Sequence, residues 1–237
     1  MKIKKVIFFG FYFLFLICTS CNNQQNINTI DSSIKTYSKQ GLSDYYPVTL
    51  GRTWTYKLEQ FQDEQPNTKF KEMSMTVINY SQKDESAVLK RFYPDSTIQP
   101  NQTMAKINQE NIELSRYIQQ SVFNALQPES ISQIKGKDSI IILKTPLVSG
   151  TTWEGRIFQG GTEQIQITGY ENLDTPAGSF DSIKVHHHLR YQNGKEDNLY
   201  YWYALGIGMV KMHEELTISI GNKWVKLKST GILKSFS

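Results

Sequence analysis

From residue 53 onwards, large apolar and polar side chains alternate in short runs. Residues 53–61, 70–80, 86–93, 164–168, 182–191, 199–203, 209–220 and 223–233 carry such runs, and residues 140–143 form a short continuous apolar run. Period two built from Val, Ile, Thr, Tyr, Phe and Trp is the strand pattern. Asn193-Gly194 lies between two of these runs, and Asn-Gly is a strong hairpin signal. Gly160-Gly161 and Gly221-Asn222 separate further pairs. The second half therefore reads as an antiparallel meander. A short helix is expected over residues 118–126, ended by Pro128. The expected fold is mainly β: an antiparallel curved sheet, forming an open barrel or a two-sheet sandwich, with at most one short helix.

One spacing occurs twice. Pro47-x3-Gly51-x2-Trp54 and Pro146-x3-Gly150-x2-Trp153 both lead into strand-like sequence. Pro fixes φ before a turn, Gly permits positive φ within it, and Trp buries the first large side chain of the strand. Two copies predict a duplicated β unit, with repeats over 44–143 and 144–237. The alternative is two unrelated turns that share common turn chemistry.

The N-terminus reads differently. Lys2, Lys4 and Lys5 precede an apolar run over residues 6–17, followed by Cys18-Thr19-Ser20-Cys21. A basic start, a short apolar core and small residues before a cut make a secretory signal. The run is shorter than the roughly 20 residues that a membrane span needs. The segment resembles a bacterial lipoprotein signal peptide, which implies cleavage after residue 20 and lipidation of Cys21. Several acyl chains on one residue anchor a protein stably. Residues 21–43 are rich in Asn, Gln, Ser and Thr, and read as the lipidated Cys and a flexible tether. Residues 44–237 form the β domain. The expected location is an exported, membrane-anchored one, at the outer membrane or the periplasm-facing envelope. Asn22 after the Cys resembles outer-membrane sorting.

Charge narrows the partners. The net charge is +4, and three of those charges are Lys2, Lys4 and Lys5, leaving the processed chain near +1. No basic run appears, which argues against a nucleic-acid partner. With Cys18 removed, Cys21 has no intrachain disulfide partner, so the domain must hold together through its core.

Candidate chemistry is sparse. On a strand, His186 and His188 share one face and His187 takes the other. With His213 from a neighbouring strand, His186 and His188 could ligate Zn²⁺, and Glu215 could serve as a base in a metal-dependent hydrolase. No nucleophile elbow is present, and the carboxylates fall mainly in turns or beside Lys, so no catalytic residue is assigned. No cofactor is expected. Tyr201, Trp202 and Tyr203 belong to an aromatic run that could line a groove for an apolar or amphipathic ligand.

Several segments together resemble a family of uncharacterised secreted bacterial lipoproteins. They are Tyr45 to Tyr56, the Pro146 to Trp153 turn, Thr175-Pro-Ala-Gly-Ser-Phe180, and Tyr203 to Lys211. The resemblance implies a β-rich fold and no particular activity. The expected function is non-enzymatic: an anchored envelope lipoprotein that binds an apolar or amphipathic ligand or another envelope component. The alternatives are a structural or assembly lipoprotein acting by protein contacts, and the metal-dependent hydrolase.

Overall fold

The computed structural model describes residues 41–62, 65–66, 72–94, 100–115, 139–158, 160–220 and 223–237. The signal peptide, Cys21, the tether up to residue 40 and the helix expected over 118–126 lie outside these residues.

The first described element is a single helical turn, α1 (Leu42–Tyr45). The strands follow as β1 (Thr53–Gln62), β2 (Gln65–Pro66), β3 (Glu72–Ser81), β4 (Ser86–Phe92), β5 (Asn101–Ile107) and β6 (Asn111–Ser115). Then come β7 (Ser139–Lys144), β8 (Thr152–Phe158), β9 (Gly161–Thr175), β10 (Gly178–Tyr191), β11 (Glu196–Ala204), β12 (Gly208–Ile220) and β13 (Lys223–Phe236). Among the described residues, twelve strands form one hydrogen-bonded path, β7-β6-β5-β4-β3-β1-β13-β12-β11-β10-β9-β8, and β2 pairs with β1 off that path. All pairings are antiparallel. The sheet curls into a nearly closed barrel, with one unsealed seam between β7 and β8.

Each half of the path is a six-stranded meander, and each meander opens on the repeated Pro-Gly-Trp turn. The two turns match bond for bond. Gly51 donates to the Val77 carbonyl at 2.9 Å and Gly150 to the Ile167 carbonyl at 2.8 Å. Val77 N donates to Arg52 O, and Ile167 N to Thr151 O, both at 2.9 Å. Gly51 and Gly150 have φ of +84° and +95°, the left-handed region that explains glycine there. The halves join through the long β1–β13 ladder on one side. At the seam, the Trp153 indole N–H donates to the Ile141 carbonyl at 2.9 Å.

β5 and β6 fall where the sequence shows no strand pattern. On β5 the buried side chains are Thr103 and Ala105, while Met104 faces out. Small groups inside and a large one outside invert the usual alternation.

The core lies inside the barrel. Trp54, Tyr56 and Leu58 of β1 point inward at alternate positions, as do Ile183 and Val185 of β10. The α1 turn and the segment after it close one end: Leu42, Tyr45, Tyr46 and Val48 are buried there. The Tyr46 ring lies 6.4 Å from both Trp54 and Tyr203.

Candidate functional site

The barrel interior changes character along its axis. Near the α1 end it is aromatic and aliphatic. One row further, Leu58, Gly231, Met212, Tyr201 and Val185 face one another across five neighbouring strands. Gly231 is required by close packing, because a Cβ there would lie 2.6 Å from Met212 Cε and 3.0 Å from Leu58 Cδ2.

The next row inward is polar. Gln60 of β1 faces Ser229 of β13, which faces Glu214 of β12. Glu214 faces Leu199 of β11, which faces His187 of β10. All four polar side chains are buried, none more than 5 % exposed. Among the described residues, several of their atoms have no hydrogen-bond partner: Gln60 Nε2 and Oε1, Ser229 Oγ, Glu214 Oε2 and His187 Nε2. An unsatisfied buried polar group costs on the order of 1–3 kcal/mol, so a cluster of them marks a place where water or a ligand's polar group belongs.

The remaining atoms of this row are firmly held. His187 Nδ1 donates to Glu163 Oε1 at 2.9 Å. Arg156 adds its backbone N–H and Nε to Glu163 Oε2, at 3.1 and 2.8 Å, and Nη2 to Oε1 at 3.1 Å. Burial alone would raise the Glu163 carboxyl, but the His187 hydrogen bond and the His187 and Arg156 charges hold it well below the usual carboxylate range. Room for Glu163 comes from Gly155, where a Cβ would meet the Glu163 side chain at 2.7 Å. Tyr201 Oη donates to Glu214 Oε1 at 2.9 Å. Burial raises the Glu214 carboxyl above its ordinary value, more than Tyr201, Arg91 and the nearby histidines lower it. Burial likewise pushes the Tyr201 and Tyr203 hydroxyls up. The interior thus carries a buried polar row between apolar ones, with Leu227 and Leu189 on the row beyond it.

Of the aromatic run, Tyr201 and Tyr203 face this interior. Trp202 lies on the outer face, where its indole donates to Glu171 Oε2 at 2.9 Å. Lys184 Nζ and Lys211 Nζ stand 5.2 and 4.6 Å from its ring centroid. Trp202 is therefore no lining residue of the interior.

The three expected metal ligands do not converge: His186 and His188 stack with ring centroids 5.7 Å apart, but His213 stands two strands away. In register, His186 of β10 faces Tyr200 of β11, and Tyr200 faces His213 of β12. The Tyr200 ring stacks on His186 at 4.6 Å and on His213 at 6.4 Å, so it stands between them. Two strand spacings separate His186 from His213 by about 10 Å, whereas two nitrogens on one Zn²⁺ lie within about 4 Å. Their nitrogens are engaged elsewhere: His186 Nε2 with Asn198, His188 Nε2 with Glu196, and His213 with Thr230 and Glu215. Burial lowers the His186 pKa. Among the described residues, no group of three or more His, Cys, Asp or Glu is placed to hold a metal ion.

The sequence reading passed over the interior residues. His187 follows Ile183 and Val185 at the same period and precedes Leu189, so the alternation itself marks it as an inward residue. Gln60 continues Trp54, Tyr56 and Leu58 in the same way.

A family model described as DUF3108-like matches residues 162–216, the stretch carrying Glu163, His187, Tyr201 and Glu214. No curated protein matches the chain. Among solved structures, the chain is similar to a candidate lipoprotein from Parabacteroides distasonis, with a TM-score of 0.51, 17% identity, and coverage of 84% of this chain and 100% of that one. It is also similar to a candidate exported protein with a YmcC-like fold from Bacteroides fragilis, with a TM-score of 0.48 and 15% identity, covering 80% of this chain and 96% of that one. The hypothetical lipoprotein YmcC from Escherichia coli matches with a TM-score of 0.33 and 12% identity, over 90% of this chain and 97% of that one. The first of these likenesses shows a shared fold.

Proposed function

We propose that the protein is an envelope lipoprotein, anchored through Cys21, whose barrel holds an amphipathic ligand without transforming it. The observation that carries this reading is the polar row Gln60–Ser229–Glu214–His187, buried with unpartnered atoms inside an otherwise apolar barrel. The ligand's polar group meets that row, and its apolar part lies against Leu58, Met212 and Tyr201. Barrel size favours the reading, because eight strands already enclose an interior that side chains fill, and twelve enclose a wider one. The signal-like N-terminus and the lipoprotein description of the Parabacteroides distasonis structure favour the envelope location.

Native mass spectrometry of the protein extracted from membranes in mild detergent tests the reading. A reproducible excess mass beyond the acylated polypeptide, removed by organic solvent, is expected. A bare acylated mass in repeated preparations would count against a ligand-holding barrel.

A further inference from the structure

The eight large apolar side chains exposed among the described residues are not spread evenly. Leu50 is 70% exposed, Leu205 42%, Phe236 39% and Ile78 40%. These four belong to one end of the barrel, and Arg52 ties them together. Leu50 lies in the turn closed by the Arg52 N–H on the Thr49 carbonyl at 3.0 Å. The Arg52 guanidinium donates through Nη2 to Gly206 O at 2.7 Å, in the turn that carries Leu205. Its Cζ stands 5.8 Å from the Phe236 ring centroid. Val77, which bonds both Gly51 and Arg52, immediately precedes Ile78.

The same end receives the chain from its N-terminal segment. Gly41 leads into α1, and the carbonyl of Asp44 in α1 accepts the Gly206 N–H at 2.6 Å. Nineteen residues, 22–40, separate Cys21 from Gly41. An anchor on Cys21 therefore pulls on the end that carries the exposed apolar side chains. The opposite end could face the bilayer only if the tether ran back along the length of the barrel. At that opposite end the exposed Trp224 is already partnered, with Lys195 Nζ 3.3 Å from its ring centroid.

We propose that this end is a membrane-docking surface. Leu50, Leu205 and Phe236 enter the interface of the bilayer that holds the acyl anchor, with Arg52 at headgroup level among them. Apolar side chains around a fixed cation suit that boundary, where acyl chains meet phosphate. The anchor then sets more than location: it fixes the orientation, with the Trp224 end of the barrel turned away from the membrane. The orientation rests on the Cys21 anchor, whereas the surface itself rests on the exposed side chains.

The test uses the processed chain purified from membranes and returned to vesicles of phosphatidylethanolamine and phosphatidylglycerol. Leu50→Cys, Leu205→Cys and Trp224→Cys are each spin-labelled, and intact mass reports acylation of Cys21. These side chains are exposed, so the labels leave the core intact. In the acylated protein, the labels at 50 and 205 are expected to lie about 5–10 Å into the interface, with fast oxygen collisions and shielding from a nickel chelate. The label at 224 is expected to stay in water. All three labels in water on an acylated chain would overturn the docking surface and leave the anchor standing. A chain without acyl groups whose labels at 50 and 205 still enter the bilayer would overturn the anchor and support the surface.

Discussion

Tyr201 Oη donates to Glu214 Oε1 at 2.9 Å, while Oε2 of the same buried carboxylate has no partner among the described residues. The pair joins adjacent strands at the boundary between the apolar and polar parts of the interior. The half-used carboxylate is costly to ionise, and burial accordingly raises its pKa.

Glu214→Gln keeps an acceptor for Tyr201 and removes that cost. A raised folded-state pKa gives a contribution that is fully present below the unfolded value, near 4.5, and is lost as pH rises through the folded value. The variant should therefore melt on the order of 2–4 °C above wild type near pH 8 and lose that advantage near pH 4. Thermal melts across that range check the sign. An advantage that grows toward acid pH would contradict it.

Glu163 behaves oppositely. Its depressed pKa gives stability that is present above about 4.5 and falls away as pH drops through the folded value. Glu163→Gln leaves Arg156 without its counter-charge in a site where the Glu163 side chain is 0% exposed and that of Arg156 11%. A loss of about 3–5 kcal/mol at neutral pH is expected. Urea titrations should also show a shallower acid limb for the variant than for wild type.

Much of this fold is legible in the sequence, for a simple reason. Where Trp54, Tyr56 and Leu58, or Ile183 and Val185, place large side chains on the inner face, period two is plain. It fails at β5, where Thr103 and Ala105 face in and Met104 faces out. The site was harder to see. The alternation could have marked His187 and Gln60 as inward, but the pairing register that aligns Gln60, Ser229 and Glu214 on three strands is set by the closure of the barrel. The same register separates His186 from His213, which no spacing within either strand reveals.

Gly231→Ala tests the packing beneath the polar row. The added methyl would lie 2.6 Å from Met212 Cε and 3.0 Å from Leu58 Cδ2, so side chains must leave their positions. A loss of about 1–3 kcal/mol is expected from overpacking. Chemical denaturation measures it, and a neutral result would mean that the interior is loosely filled at this level.

Trp153→Phe tests the seam. It removes the indole N–H that reaches the Ile141 carbonyl across β7 and β8 while keeping an aromatic ring. A loss of about 1 kcal/mol is expected. Amide exchange in β7 should accelerate more than in the fully paired β13. Equal acceleration throughout the barrel would place the effect in the core and not at the seam.

The most direct measurement is photocrosslinking with a lysophosphatidylethanolamine that carries a diazirine on its acyl chain. Adducts are mapped by peptide mass spectrometry. Binding inside the barrel predicts adducts on Leu58, Tyr201 and Met212, reduced when unlabelled lysophospholipid competes. Adducts confined to the outer face or to the Leu50–Leu205 end would contradict an amphipathic ligand held inside the barrel.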